Sequence, residues 1–184
     1  MEFDGKRLVR LARRAIGARL QRKPLPSMRK TKKTGVFVTL HSFPGRELRG
    51  CVGYPYPVMG LEEAVVQSAL SAAFEDNRFL PVTEAELKGI LVEVSVLTEP
   101  KLLAGIPEEW LEKIKIGRDG LIVEQGGRRG LLLPVVAAEQ GWDAETFLCH
   151  CCLKAGLQED CWRRGAKVYT FQAKVFSEKT PEKN

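Results

Sequence analysis

Histidine is scarce in this chain, with only His41 and His150 among 184 residues. Hydrolases built on a cysteine or serine nucleophile usually take their base from histidine, so that chemistry has two candidates at most. Apolar runs of the ~18–20 residues that span a bilayer are missing as well, which excludes a membrane-crossing helix. Arginine interrupts the apolar positions of the first twenty residues, so they do not read as a secretory signal. The five cysteines are an odd number without the spacing of a disulfide framework, and a reducing cytoplasm is the simpler expectation. No motif calls for a cofactor.

Acids are rare at the start of the chain. Residues 1–34 hold twelve Lys/Arg against Glu2 and Asp4, a net +10, which leaves the other 150 residues at −4 within the total of +6. A nucleic-acid surface spread over the whole body is therefore excluded, and one basic arm remains to be explained. The 44% hydrophobic and 28% charged residues are ordinary for a folded domain, and the length fits one domain with a real core.

Cys149-His150-Cys151-Cys152, with Cys161 further on, invites a zinc reading that geometry opposes. On a helix only Cys149 and Cys152 share a side, while His150 projects roughly 100° away from its neighbours. No second Cys-x2-Cys pair completes a tetrahedral set, so no metal is expected.

The periodicity predicts an amphipathic helix over 5–20, capped by Asp4. Leu8, Leu11, Ala12, Ala15 and Ile16 form one face, and Lys6, Arg10, Arg13 and Arg14 the solvated other. Residues 21–34 read as a loop. Val36–Leu40 and Glu47–Tyr54 form a hairpin, with His41 in the loop after the first strand. A helix over Met59–Phe74 follows, then a capping box at Thr83–Glu86 and a strand over Ile90–Leu97. Ile114–Ile116, Leu121–Gln125 and Arg128–Leu133 suggest a three-stranded meander. Helices start at Pro107, at Pro134 and after Asp143, and Lys167–Phe176 forms a last strand with Tyr169, Phe171, Ala173 and Val175 on one face. The charged tail 177–184 reads as frayed.

Chemistry concentrates in Leu48-Arg49-Gly50-Cys51-Val52-Gly53. A cation two residues from a thiol favours the thiolate, the reactive form. The glycines can take φ > 0 and leave backbone amides uncovered for a ligand. The alternative is that Cys51 is a small buried hydrophobe. Asp76 and Arg78, bracketed by Phe74 and Phe79, make either an ion pair that ties the loop down or the wall of a polar pocket. Glu93 sits among valines, so it either pairs with a cation or lines a wet cleft.

Several segments together resemble one family. They are Val36–Leu40, Leu48–Gly53, Asp76-Asn77-Arg78-Phe79 with Pro81, Glu93–Thr98, Gly117–Val123, Leu133-Pro134, Gly141–Asp143 and Lys154–Leu157. In this order, over about 5–176, they resemble the AMMECR-type domain, named after the AMME syndrome candidate region gene. The resemblance implies one α+β domain over 1–176, an antiparallel sheet flanked by helices, in a larger and a smaller lobe with a cleft between them. Carried over by position, the cleft would hold Arg49, Gly50, Cys51, Gly53, Asp76, Arg78, Glu93 and Pro134. Relatives occur with Memo-like and radical-SAM proteins, which makes such proteins the implied partners. The residue after Leu133-Pro134 is Val135, where the family has Gln or Glu, so a role needing a polar side chain there is not supported.

Three functions follow as expectations. The first is an enzyme or enzyme component with Cys51 as nucleophile, Arg49 lowering its pKa or holding an anionic substrate, and Glu93 or Asp76 moving protons. Gly50, Gly53, Arg78, Phe79 and Pro134 would then bind ligand. The second is a binding or adaptor module for a small ligand, peptide or nucleotide. The third is weak RNA contact through the basic segment 1–34.

Overall fold

The Asp4 side chain accepts the Arg7 N–H at 3.0 Å and opens helix α1, Gly5–Leu20. Its predicted apolar face is buried. The structure, a computed structural model, describes residues 3–181. It comprises two units, one running up to Leu97 and resuming at Lys174, the other covering Thr98–Ala173. The fold is α+β, and among the described residues no helix is long and apolar enough to cross a membrane.

In the first unit, strands β1 (Val36–Ser42), β2 (Leu48–Tyr54) and, after helices α2 (Leu61–Phe74) and α3 (Glu84–Leu87), β3 (Ile90–Leu97) form an antiparallel array in the order β2-β1-β3. Alternation along the strands sends Val36, Val38, Leu40, Val92, Val94 and Val96 to one face, where they join the core made by α1 and α2. Alanines on α2 let the helix approach closely. At Gly50 a Cβ would lie 2.2 Å from the Ala72 carbonyl oxygen, so only glycine fits between this strand and the helix backbone.

Two expectations fail here for one reason, a long-range partner that local periodicity does not reveal. Arg13, expected on the solvated face of α1, is 2% exposed. Its guanidinium donates to both Glu178 carboxylate oxygens at 2.5 and 2.6 Å and to the Leu87 and Ile90 carbonyls. Glu178, expected in a frayed tail, is buried and also accepts the Val92 N–H at 2.8 Å. Residues 182–184 of that tail lie outside the described residues. The basic loop 21–34 is pinned by a second acid. Glu62 takes the Arg7 guanidinium at 2.7 and 2.9 Å and the Arg29 N–H at 2.7 Å. The hydrogen bonds from Arg7 hold the Glu62 carboxyl below its ordinary pKa, against the opposing effect of burial.

The second unit holds strand β4 (Lys101–Leu102), helix α4 (Pro107–Lys113), strands β5 (Asp119–Gln125) and β6 (Arg128–Leu132), helices α5 (Pro134–Gln140) and α6 (Ala144–Lys154), and most of β7 (Lys167–Ser177). β5 pairs with β6 on one side and β7 on the other, and β4 borders β7. The expected third meander strand at Ile114–Ile116 is instead a turn. The Asp119 carboxylate accepts the Lys115 N–H at 2.9 Å, and Gly117 takes φ 79°. On β7, Val168 and Phe171 are buried while Val175 is 48% exposed, so the apolar face expected from alternation is not maintained along the strand.

Cys152 bonds Cys161, with Cα atoms 6.1 Å apart. The absence of a disulfide spacing pattern was therefore misleading, because contact between α6 and the 3₁₀ turn Cys161–Arg163 brings the two cysteines together. The bond also removes the ground on which a reducing compartment was expected. Of the remaining cluster, Cys151 is buried against the Leu121 and Gly130 carbonyls, and burial pushes its thiol up to about 12. His150 stacks on Trp142 with ring centroids 3.9 Å apart.

Candidate functional site around Cys51

The hairpin register sets Cys51 opposite Thr39, and Thr39 opposite Glu93 on its other side. Paired residues in an antiparallel sheet project to the same face. One row across three strands thus carries a thiol, a hydroxyl and a carboxylate, on the face opposite the α1–α2 core. Thr39 is 6% exposed, and its hydroxyl donates to Cys51 Sγ at 3.4 Å. A hydroxyl donor on sulfur favours the charged thiolate over the thiol.

β2 is an edge strand, and edges leave backbone donors and acceptors to be covered. At Cys51 the cover is made of side chains. The Asp76 carboxylate accepts the Cys51 N–H at 2.9 Å, and the Arg78 guanidinium donates to the Cys51 carbonyl at 3.4 Å. Arg78 binds Asp76 in turn, with Nε and Nη2 at 2.9 and 2.7 Å from its oxygens. These bonds, joined by that from Cys51 and opposed by burial, hold the Asp76 carboxyl far below the usual carboxylate range. The ion-pair alternative is the one seen here, with the added feature that the pair grips the backbone of the thiol residue.

Arg49 is held by another acid. It donates to Glu86 at 2.5 and 3.0 Å and to the Leu80 carbonyl at 2.7 Å. Glu86 is also the third residue of α3 and closes its capping box with Thr83. Arg49 Nη1 is buried without a hydrogen-bond acceptor among the described residues. Phe79 lies beneath both guanidiniums, 5.6 Å from Arg49 and 5.4 Å from Arg78, and the next residue, Leu80, is 83% exposed.

Of the two alternatives for Glu93, a cation partner is the one seen. Arg46 Nη2 is 3.6 Å and His41 Nε2 is 3.9 Å from its carboxylate. β1 extends through Ser42, so His41 belongs to a strand and not to a loop, and its Nδ1 faces the Arg46 carbonyl at 3.2 Å. Gly50 and Gly53 have no positive φ. Both are ladder residues: α2 fills the space at Gly50, and the Val36 carbonyl and Phe37 ring fill that at Gly53. Pro134 belongs to the second unit, where it starts α5. Arg49, Cys51, Asp76, Arg78 and Phe79 thus come together. Thr39, Glu86 and Arg46 are the members that spacing did not point to. Thr39 lay within a strand motif and Glu86 within the capping box, but neither signal names a partner.

The AMMECR1 family model matches residues 9–176. The chain belongs to the AMMECR1 family. It is 51% identical to a protein of Thermofilum pendens, with 97% of this chain and 92% of that protein aligned. Protein MJ0810 of Methanocaldococcus jannaschii is 56% identical over 82% of this chain and 76% of its own. The crystal structure of protein PH0010 from Pyrococcus horikoshii superposes with a TM-score of 0.92 at 49% identity, covering 96% of this chain and 92% of that one. An AMMECR1-family chain therefore shares this α+β fold.

Proposed function

We propose that Cys51 is the working thiol of an enzyme or enzyme component, with Arg49 binding an oxygen or anionic group of the substrate. The observation that carries this reading is the contact of Thr39 with Cys51 Sγ, on a residue whose backbone is clamped by Asp76 and Arg78. Such a clamp would fix the thiol's position, as a nucleophile requires. The orphan donor at Arg49 Nη1 supplies a hydrogen-bonding position for substrate. Asp76 is too acidic to serve as a base, and the His41 ring is placed beside Glu93, its Nε2 3.9 Å from that carboxylate. The chemistry supported is therefore transfer of a group to and from the thiol, with a partner such as a Memo-like or radical-SAM protein supplying the other reacting centre.

A second reading, a non-catalytic binding or adaptor module, is supported by Phe79 between two guanidiniums beside the exposed Leu80. Site-resolved alkylation of Cys51 against pH separates the two. The enzyme reading expects an apparent pKa below the free-cysteine value of ~8.5, rising in Thr39→Val and Arg49→Gln. A value at or above that reference, unmoved by either substitution, leaves the binding module.

A further inference from the structure

We propose that the groove at the C-terminal end of α1 is a binding site for small phosphate esters carrying an apolar group. The groove has a volume of about 510 Å³ and is lined by Arg19, Arg22, Lys23, Leu25 and Leu70. That size lies within the range of small-molecule sites. Two other cations of the basic arm are engaged by acids: the Arg7 guanidinium holds Glu62, and Arg13 is buried on Glu178. Arg19, Arg22 and Lys23 have no ion pair among the described residues. The nearby Glu84 carboxylate takes the Gln21 side-chain amide at 3.2 Å.

Cations at a helix C-terminus commonly serve the last carbonyls and the helix dipole. Here backbone bonds already do the capping. The Arg22 N–H donates to the Arg19 carbonyl at 3.3 Å, and the Lys23 N–H to the Ala18 carbonyl at 2.8 Å. This is a Schellman closure. Its left-handed residue, normally glycine, is Arg22 at φ 53°. An L side chain is disfavoured in that conformation, so the fold accepts a penalty at the position where it places a cation beside the groove. Leu25, 42% exposed, and Leu70 add an apolar wall.

The composition of the groove favours a small ligand over RNA. Among the described residues no aromatic side chain lines it to stack on a base, and its cations are confined to one turn where a polynucleotide would need a track. Phosphate would take the forked donors of the two arginines, and the apolar part would lie against Leu25 and Leu70.

The test is amide-resolved NMR titration of the full chain with n-octyl phosphate, inorganic phosphate and an oligouridylate of about 20 nucleotides. Octyl phosphate should shift the amides of residues 18–25 and Leu70 and bind about tenfold or more tighter than inorganic phosphate, since each buried methylene adds affinity. The double variant Arg22→Gly/Lys23→Gln should lose about tenfold or more in octyl phosphate affinity while its melting temperature is unchanged or raised, because glycine suits the left-handed cap. Leu25→Asn should narrow the advantage of octyl phosphate over inorganic phosphate. Equal affinity for the two phosphates, an unaffected double variant, or tighter binding of the oligonucleotide would each overturn the proposal.

Discussion

The Asp76 carboxylate accepts the backbone N–H of Cys51 at 2.9 Å, so an acid at the end of α2 determines where the edge-strand thiol stands. Asp76→Asn removes the charge and one of the two acceptor oxygens that Arg78 and Cys51 share, and should cost about 1.5–3 kcal/mol, the range for charged hydrogen bonds. The folded-state pKa of Asp76 is lowered. Its stabilisation is therefore present above the unfolded value of ~3.9 and is lost as pH falls from there through the lower folded value. Denaturant melts of both proteins should differ at neutral pH and converge in acid. A constant difference down the titration would assign the effect to shape instead of charge.

Removing Glu178 should destabilise the fold well beyond an ordinary surface change. Arg13 is 2% exposed and Glu178 6%, and stripping one partner from a buried pair costs about 3–5 kcal/mol. Glu178→Ala is expected in that range by chemical denaturation, and Arg13→Met/Glu178→Leu should recover much of it. A loss below about 1 kcal/mol, the surface-pair value, would show the pair to be solvated.

Gly50→Ala should destabilise by about 1–3 kcal/mol through overpacking, because the added methyl meets the Ala72 carbonyl oxygen. Neither atom sits on a flexible side chain, so α2 must move. The melting temperature reads this directly, and an unchanged value would mean that strand and helix separate without cost.

Protein denatured and alkylated without reductant should carry two fewer adducts than protein denatured and reduced first, reporting Cys152–Cys161. From the short loop it closes, the bond should contribute about 2–3 kcal/mol, measurable in Cys152→Ala. Equal adduct counts would place both cysteines in the thiol form.

Glu93→Gln should leave the fold standing and make Cys51 more reactive. The carboxylate shares the thiol's row through Thr39, and a like charge nearby disfavours the thiolate. The expected result is a faster alkylation of Cys51 at neutral pH in the variant. Unfolding with unchanged thiol chemistry would make Glu93 purely structural.

Periodicity and end signals were sufficient for what lies within about a dozen residues. Asp4 and the apolar spacing of 5–20 set α1 to the residue, Thr83 and Glu86 made their capping box, and the valines of 90–97 alternated as read. The Arg-Gly-Cys strand was recognisable as the place where chemistry gathers, and the motifs together with it carried the family. Which charges would be neutralised, and by whom, was decided only in three dimensions. Arg13 and Glu178 are 165 residues apart, Arg49 and Glu86 are 37 apart, and Glu93 lies beside Arg46 of the β1–β2 loop. Local patterning reports which way a side chain points on its own helix or strand. Whether that direction ends in water or in a partner depends on the elements packed against it, and so on the tertiary structure.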